Sequence, residues 1–279
     1  MKMYTLNNGK TIPAIGFGTF KARDGEEAYK STLSALQAGY RHIDTAAIYG
    51  NEESVGRAIK DSGLERDELF ITTKLWNTAH TKQEAHQALN ASLSKLGLDY
   101  VDLYLVHWPN PKSLRDGSWK RRNADIWKAL EEEVALGRVR SIGVSNFMVH
   151  HLEALFETAT IVPAVNQIRL APGVLQEEVV SFCKDKKILL EAWGPFGQGE
   201  LFSHPTAKRL AENYQVTVAQ LALAWSLAHG FLPLPKSVTP ERIVSNLEVP
   251  QVALSFEDMQ ALDTLSGVSG AADPDKVDF

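Results

Sequence analysis

The sequence predicts a single barrel of eight parallel strands, each followed by a helix, with an N-terminal hairpin across its bottom. Three observations lead there. Short apolar runs recur near 14–19, 40–45, 69–74, 100–107, 138–144, 163–168, 187–193 and 231–235 with helical patterns between them, and alternation of this kind makes a parallel sheet. A length of 279 residues suits one barrel of ~250 residues with additions, so 1–279 reads as one (β/α)8 domain. Thr5 to Ile12 carries two apolar arms around Asn8-Gly9, a strong short-range hairpin signal.

Ala14 to Thr19 is the expected first barrel strand, and Gly16 and Gly18 leave room at its upper end for a ligand to approach the backbone. Tyr40 to Thr45 follows as the second strand. The chain then turns at Gly50-Asn51 into a helix whose first turn carries Glu52 and Glu53, acids suited to a helix N-terminus. Thr81-Lys82-Gln83-Glu84 and Thr217-Val218-Ala219-Gln220 each spell a capping box. Ala85, Leu89, Leu93 and Leu96 form one apolar stripe, and Leu221, Trp225 and Ala228 another, both expected against the barrel.

Composition excludes several functions. The chain is 44% hydrophobic and 23% charged with a formal charge of -5, which argues against a nucleic-acid or lipid-headgroup partner. The one dense basic cluster, Lys120-Arg121-Arg122, is expected to be a solvated face on the loop entering a helix. Cys183 is the single cysteine. It excludes an internal disulfide and a multi-cysteine metal site, and its neighbours Val180 and Phe182 point to a buried helix position. The sequence opens without an apolar signal core and has no run of ~18 apolar residues, so a cytoplasmic protein with no membrane association is expected. The absence of an apolar surface stripe favours a monomer.

Chemistry gathers at strand ends. Asp44 and Tyr49 sit at the carboxyl end of the second strand, Lys74 closes the apolar run 69–73, and His107 follows the run 101–106. In a barrel of alternating strands and helices that end is the catalytic face. Taken singly, Asp44 reads as a helix cap, Tyr49 as packing, Lys74 as a snorkelling lysine and His107 as a satisfied core histidine. Together they make a set. A buried ammonium needs a partner, which Asp44 supplies, and its charge near the phenol is expected to lower the pKa of Tyr49. Neutral His107 is suited to orienting a carbonyl oxygen. Phe20, Ile48, Trp76, His107 and Trp108 are the expected walls of the pocket, the two tryptophans because they follow the strand ends that bear Lys74 and His107.

Three motifs in order carry a resemblance to the aldo-keto reductases along the whole chain: Gly39 to Gly56 with Glu52 and Val55-Gly56, Arg140 to Phe147, and Leu234-Pro235-Lys236-Ser237 followed by Arg242 and Ser245-Asn246. Trp193 to Gly199 is similar to the bacterial branch that includes 2,5-diketo-gluconate reductases and small-aldehyde reductases. The resemblance implies an NADPH-dependent reductase of aldehydes and ketones, acting on small polar carbonyls, α-dicarbonyls or keto-sugars. It assigns Asp44, Tyr49, Lys74 and His107 to catalysis, with Tyr49 as proton donor. For the cofactor it implies Ser145, Asn146 and Gln167 on the carboxamide, Trp193 stacked on the nicotinamide, and Gly194, Pro195, Phe196 and Gly197 beside them. Lys236, Ser237, Val238, Thr239, Arg242 and Asn246 complete that set, with Lys236, Ser237 and Arg242 offering two cations and a hydroxyl to the 2'-phosphate.

The chain departs from the family pattern after the sixth strand, where Asn166-Gln167-Ile168 runs into Arg169-Leu170-Ala171-Pro172 in place of the usual glutamate and histidine. Gln167 is retained, while the loop beyond it is altered. The short segment 109–118 is expected to leave the pocket comparatively open. Two other classes of function are set against the reductase: a nicotinamide-binding sensor or subunit, and a metal-dependent barrel hydrolase. The filled catalytic positions oppose the first, and the lack of clustered His and Asp ligands opposes the second.

Overall fold

Two short strands, β1 (Met3–Thr5) and β2 (Thr11–Pro13), form the N-terminal hairpin of the computed structural model, which describes residues 2–249 and 252–279. Its side chains reach the entry ends of other strands, with Tyr4 Oη donating to Phe231 O, Asn7 Nδ2 to Pro163 O and Asn8 Nδ2 to Ser141 Oγ. The hairpin therefore closes the bottom of the sheet that follows.

That sheet runs β3 (Phe17–Gly18), β4 (His42–Asp44), β5 (Phe70–Leu75), β6 (Val101–Val106), β7 (Val139–Ser145), β8 (Val165–Arg169), β9 (Leu189–Trp193) and β10 (Leu232–Leu234), all parallel and paired in sequence order. Gly16 N donates to Pro233 O at 3.1 Å and Gly18 N to Pro235 O at 3.0 Å, which joins the last strand to the first. The ring is an eight-stranded barrel. Close approach at this seam bears on both glycines: a Cβ on Gly16 would lie 2.6 Å from Leu234 Cδ2, and 2.5 Å from His42 Nδ1 on the neighbouring strand, and one on Gly18 would lie 3.3 Å from Leu234 O. They make room for the barrel's own closure rather than for a ligand, although Gly18 also borders the cavity above.

Side chains alternate along a strand, so every second residue enters the ring. Leu6, Ile12, Phe70, Leu103, Leu105, Val165, Leu232 and Leu234 fill its lower interior as one apolar cluster. The next inward positions are polar, which places Lys74, Gln167 and Glu191 in one buried layer, with His107 just past β6 at the same face.

The outer ring is α1 (Glu26–Ala38), α2 (Glu52–Asp61), α3 (Lys82–Leu96), α4 (Trp119–Ala135), α5 (Val149–Phe156), α6 (Glu177–Asp185), α7 (Pro205–Asn213), α8 (Val218–Ala228), α9 (Pro240–Leu247) and α10 (Phe256–Asp263). Both capping boxes form, at Thr81 with Glu84 and at Thr217 with Gln220. Ala85, Leu89, Leu93 and Leu96 are buried as expected, and Cys183 is buried on α6. Ala228 is exposed, because the buried face of α8 ends with Ser226 before its last turn. Among the described residues no helix is long and apolar enough to cross a membrane.

The basic cluster is not one solvated face. Lys120 and Arg121 are exposed, but Arg122 lies one position further round α4 and is buried, 3% exposed. Its Nε donates to Ala79 O at 3.0 Å and its Nη1 to Trp108 O at 3.2 Å. A guanidinium can satisfy several carbonyls at once, and this one ties together the loops that follow β5 and β6.

His42 is one of the groups that make stability depend on acidity. The ring is fully buried against Thr72 Oγ1 at 3.0 Å, and burial, helped by the Lys74 charge, pushes its pKa down to about 3. The unfolded imidazole titrates near 6.5, so below that pH the unfolded chain binds the extra proton and stability falls with pH. Full stability from this group is present above pH 6.5 and is lost as pH drops toward 3, at ~1.4 kcal/mol per pH unit. Urea unfolding of the wild type should therefore lose about 2 kcal/mol between pH 7 and pH 5 through this residue alone. The His42→Gln variant should lose that much less over the same interval, and an unchanged pH dependence in the variant would refute the assignment.

Candidate active site

Asp44 ends β4, a single 3-10 turn at Ala47–Tyr49 lifts Tyr49 over the barrel mouth, and Lys74 enters from β5. The three meet at the ammonium. Lys74 Nζ donates to Asp44 Oδ1 at 2.6 Å, to Thr45 O at 2.9 Å and to Tyr49 Oη at 3.3 Å, and the lysine is 0% exposed. His107 completes the set with its ring centroid 5.8 Å from that of Tyr49. All four predicted catalytic residues are thus brought to one place.

Electrostatics assign them different protonation states. Burial alone would pull the Lys74 pKa down, but Asp44 and Tyr49 outweigh it and hold the ammonium above its usual value. The expected lowering at Tyr49 is not the net outcome. Burial pushes the phenol up and exceeds the downward pull of Lys74, while Asp44 adds to the rise. Tyr49 therefore rests as a neutral phenol beside a cation. At His107 burial and Lys74 act together and hold the imidazole well below its usual pKa, so it is neutral, and its buried Nδ1 has no partner.

A cavity of about 580 Å³ opens above this cluster. The predicted walls Phe20, Ile48, Trp76, His107 and Trp108 all line it, together with Ser145, Asn146, Gln167, Trp193, Gly194, Pro195, Phe196 and Lys236. Gly197 does not. A Cβ there would meet Val268 Cγ1 at 2.9 Å, and Gln198 and Gly199 line the cavity in its place. Ser237, Val238, Thr239, Arg242 and Asn246 lie beyond the cavity at and along α9, with Val238 and Arg242 exposed and Ser237 and Asn246 buried.

One hydrogen-bonded network forms the wall opposite Tyr49. Trp193 Nε1 donates to Asn146 Oδ1 at 2.9 Å, Asn146 Nδ2 donates to His107 O at 3.0 Å, and Ser145 Oγ donates to Gln167 O at 2.8 Å. Asn146 holds a left-handed backbone with φ of 62°, a conformation its short polar side chain tolerates. Gln167 Nε2 donates to Asp44 Oδ2 at 2.8 Å and to Glu191 Oε2 at 2.7 Å. Arg169, at the altered position, is buried beside Trp193 at the carboxyl end of β8, where Nη1 donates to Gly270 O at 3.0 Å and the guanidinium carbon lies 5.8 Å from the Trp193 ring.

Sequence reasoning missed the segment 270–279. It folds across the loop 109–118 and fills the space that the short loop was expected to leave open. The Phe279 ring lies 5.6 Å from Trp76 and 5.0 Å from Trp108 and lines the cavity. Asp275 anchors the segment by accepting from Asn110 Nδ2 at 2.7 Å and from His151 Nε2 at 3.0 Å, with His150 Nε2 3.0 Å from its other oxygen. Met148 N donates to His151 Nδ1. Both ring nitrogens of His151 are therefore occupied, and the trio is a clasp rather than a set of free metal ligands. Nothing in local pattern marks Phe279. Glu191 did carry a signal, since a lone acid interrupts the apolar run Ile188 to Trp193.

A sequence model described as the aldo/keto reductase family matches residues 14–266. Among curated relatives, the glyoxal reductase of Bacillus subtilis is 45% identical over 261 residues, covering 94% of this chain and 91% of its own. Among solved structures, MGS-M4, an aldo-keto reductase enzyme from a Medee basin deep-sea metagenome library, superimposes with a TM-score of 0.90 at 41% identity, covering 99% of this chain and all of its own. A mutant of Gox0644 in complex with NADPH gives a TM-score of 0.91 at 36% identity, covering 100% and 99% of the two chains. With the barrel, the strand-end cluster and these likenesses in agreement, the chain belongs to the aldo/keto reductase family of oxidoreductases.

Proposed function

We propose that this protein reduces small polar aldehydes and ketones, α-dicarbonyls among them, with NADPH as the reductant. The observation that carries the reading is the Lys74 ammonium, bonded at once to Asp44 and Tyr49 on the floor of a cavity walled by neutral His107.

The donor set fits a nicotinamide cofactor. Trp193 offers an aromatic face, and Ser145, Asn146 and Gln167 converge beside it at the cavity wall. Lys236 borders the same cavity and leads to Ser237 and Arg242 at the N-terminal end of α9, where backbone N–H groups and two cations favour a phosphate. When bound, NADPH supplies the hydride that reduces the carbonyl carbon. Tyr49 gives its phenolic proton to the oxygen that becomes the alcohol, and Lys74 stabilises the phenolate left behind. Asp44 holds Lys74 in place. His107, with one N–H in its neutral form, orients the carbonyl oxygen. Trp76, Trp108 and Phe279 narrow the entrance around a small substrate. The glyoxal-reducing relative supports the lean toward small dicarbonyls.

Three measurements test this reading. Tyr49→Phe removes a proton donor used in the transition state, so turnover with a small aldehyde should fall ~10²-fold or more while NADPH binding, followed by fluorescence, stays near wild type. Near-wild-type turnover in that variant would sink the mechanism. Arg242→Ala should weaken NADPH about tenfold and leave NADH unchanged, as loss of one charge-assisted phosphate contact implies; equal effects on both cofactors would remove Arg242 from the 2'-phosphate site. Phe279→Ala opens the wall against Trp76 and Trp108, so KM for a two- or three-carbon aldehyde should rise about fivefold to tenfold with kcat changing less. An unchanged KM would exclude Phe279 from substrate contact.

A further inference from the structure

One ionisable group in the barrel has no part in the chemistry above. Glu191 sits on β9 two residues before Trp193 and is fully buried. Its Oε2 accepts one hydrogen of Gln167 Nε2 at 2.7 Å, while the other hydrogen goes to Asp44 Oδ2 at 2.8 Å. Its Oε1 has no partner. Lys74 is already committed to Asp44, Thr45 and Tyr49, so Glu191 has no cation of its own. The strands beside β9 add none: β10 presents Leu232 opposite Glu191, and β8 presents Gln167. The charged groups that act on Glu191 are Asp44 and Lys74.

We propose that Glu191 is a positioning residue for the nicotinamide end of the cofactor. By taking the second N–H of Gln167, it locks that amide so that only its carbonyl oxygen is offered to the cavity. The inference rests on the NADPH reading of the same site. An amide turned by 180° would set its oxygen against the Asp44 carboxylate and lose that bond, and would trade the bond to Glu191 Oε2 for one that only a protonated Glu191 could give. With Asp44 alone as acceptor, rotation toward the cavity costs a single bond. A fixed carbonyl oxygen selects a ligand N–H, which a carboxamide provides.

A second consequence concerns charge. Burial and the Asp44 carboxylate raise the Glu191 pKa to about 8, so the group is neutral at pH 7 and ionises above pH 8. Its ionisation adds negative charge beside the place of the nicotinamide ring. That ring is positively charged only in the oxidised cofactor, so NADP+ gains affinity relative to NADPH as pH rises. The phosphates are common to both forms and cancel in the ratio.

Two substitutions separate the effects. Glu191→Gln keeps an acceptor oxygen of the same reach and cannot ionise, whereas Glu191→Met removes the acceptor. Fluorescence titration with NADPH and NADP+ is made at pH 6.5 and pH 9.5, in the Tyr49→Phe background so that the phenol does not titrate, with thermal melts to confirm folding. At pH 6.5 the Gln variant should bind NADPH within about twofold of its parent, and the Met variant about fivefold more weakly, as loss of one fixed hydrogen bond implies. Between the two pH values the ratio of NADP+ to NADPH dissociation constants should fall at least about threefold in the parent, a change within reach of one added charge nearby, and stay level in the Gln variant. A Met variant that binds as tightly as its parent, or a Gln variant whose ratio moves with pH as the parent's does, overturns the proposal. Should the Met variant fail to fold, Glu191→Ala, which also removes the acceptor, takes its place in the same titration. Absence of NADPH binding in the wild type would sink the cofactor reading and this inference with it. Binding in the wild type with no effect in either variant sinks only this inference.

Discussion

An ammonium without access to water constrains the upper half of this barrel. Removing a lysine from solvent costs several kcal/mol unless its three donors find acceptors, and Lys74 finds a carboxylate, a backbone carbonyl and a phenol. Those acceptors come from the end of β4 and the turn after it, so the pairing fixes strand β5 against β4 at the height where chemistry is needed. The arrangement is more demanding than an apolar core would be. Taking away Asp44 would strand a cation in a dry place, which is why a buried pair of this kind records a function better than it records stability.

From Lys74 the polar layer extends sideways through Asp44 to Gln167 and Glu191, and from the Gln167 carbonyl through Ser145 to Asn146 and Trp193. Gln167 and Asn146 each hold more than one partner, so neither amide can turn without breaking at least two bonds. Preorganisation of this sort holds groups ready for a bound ligand without reorganisation at the moment of reaction. Support comes from below and behind. The apolar cluster of Leu103, Leu105, Leu232 and Leu234 packs beneath the layer, and Arg122 ties the loops after β5 and β6 from outside.

The residues legible in the sequence were those that broke a local rule. Lys74 and His107 interrupt apolar strands, Asp44 and Tyr49 follow one, and the side-chain period of two converts those interruptions into a single layer. Glu191 breaks the same rule, but in the structure it touches other polar side chains and not the cavity. Arg122 was misread because a run of three basic residues was treated as one face, whereas helical rotation sends the third inward. Phe279 and Asp275 carry no local irregularity. Their meaning arises from contacts such as Asn110 with Asp275, 165 residues apart, and pairings at that distance leave no trace in spacing. Gly16 is legible as a close approach, but one of the groups that approaches it, the Leu234 side chain, arrives only through the closure of β10 on β3.

The sign of the Tyr49 shift shows why residue identity alone does not settle reactivity. A cation beside a phenol lowers its pKa, and burial raises it; which effect wins depends on how much water the fold excludes. Here exclusion wins, and Tyr49 stays protonated at rest. That outcome suits a donor better than the reverse, because a phenol already ionised at neutral pH has no proton to give. In the proposed mechanism Lys74 acts chiefly after transfer, when it faces the phenolate left on Tyr49. Placing His107 under the same two influences yields the opposite result, since desolvation and the neighbouring cation both disfavour imidazolium. Burial therefore keeps both adjacent groups neutral, against the pull of Lys74 at Tyr49 and together with it at His107, which suits the phenol to the proposed role of donor and the imidazole to that of an uncharged hydrogen-bonding group.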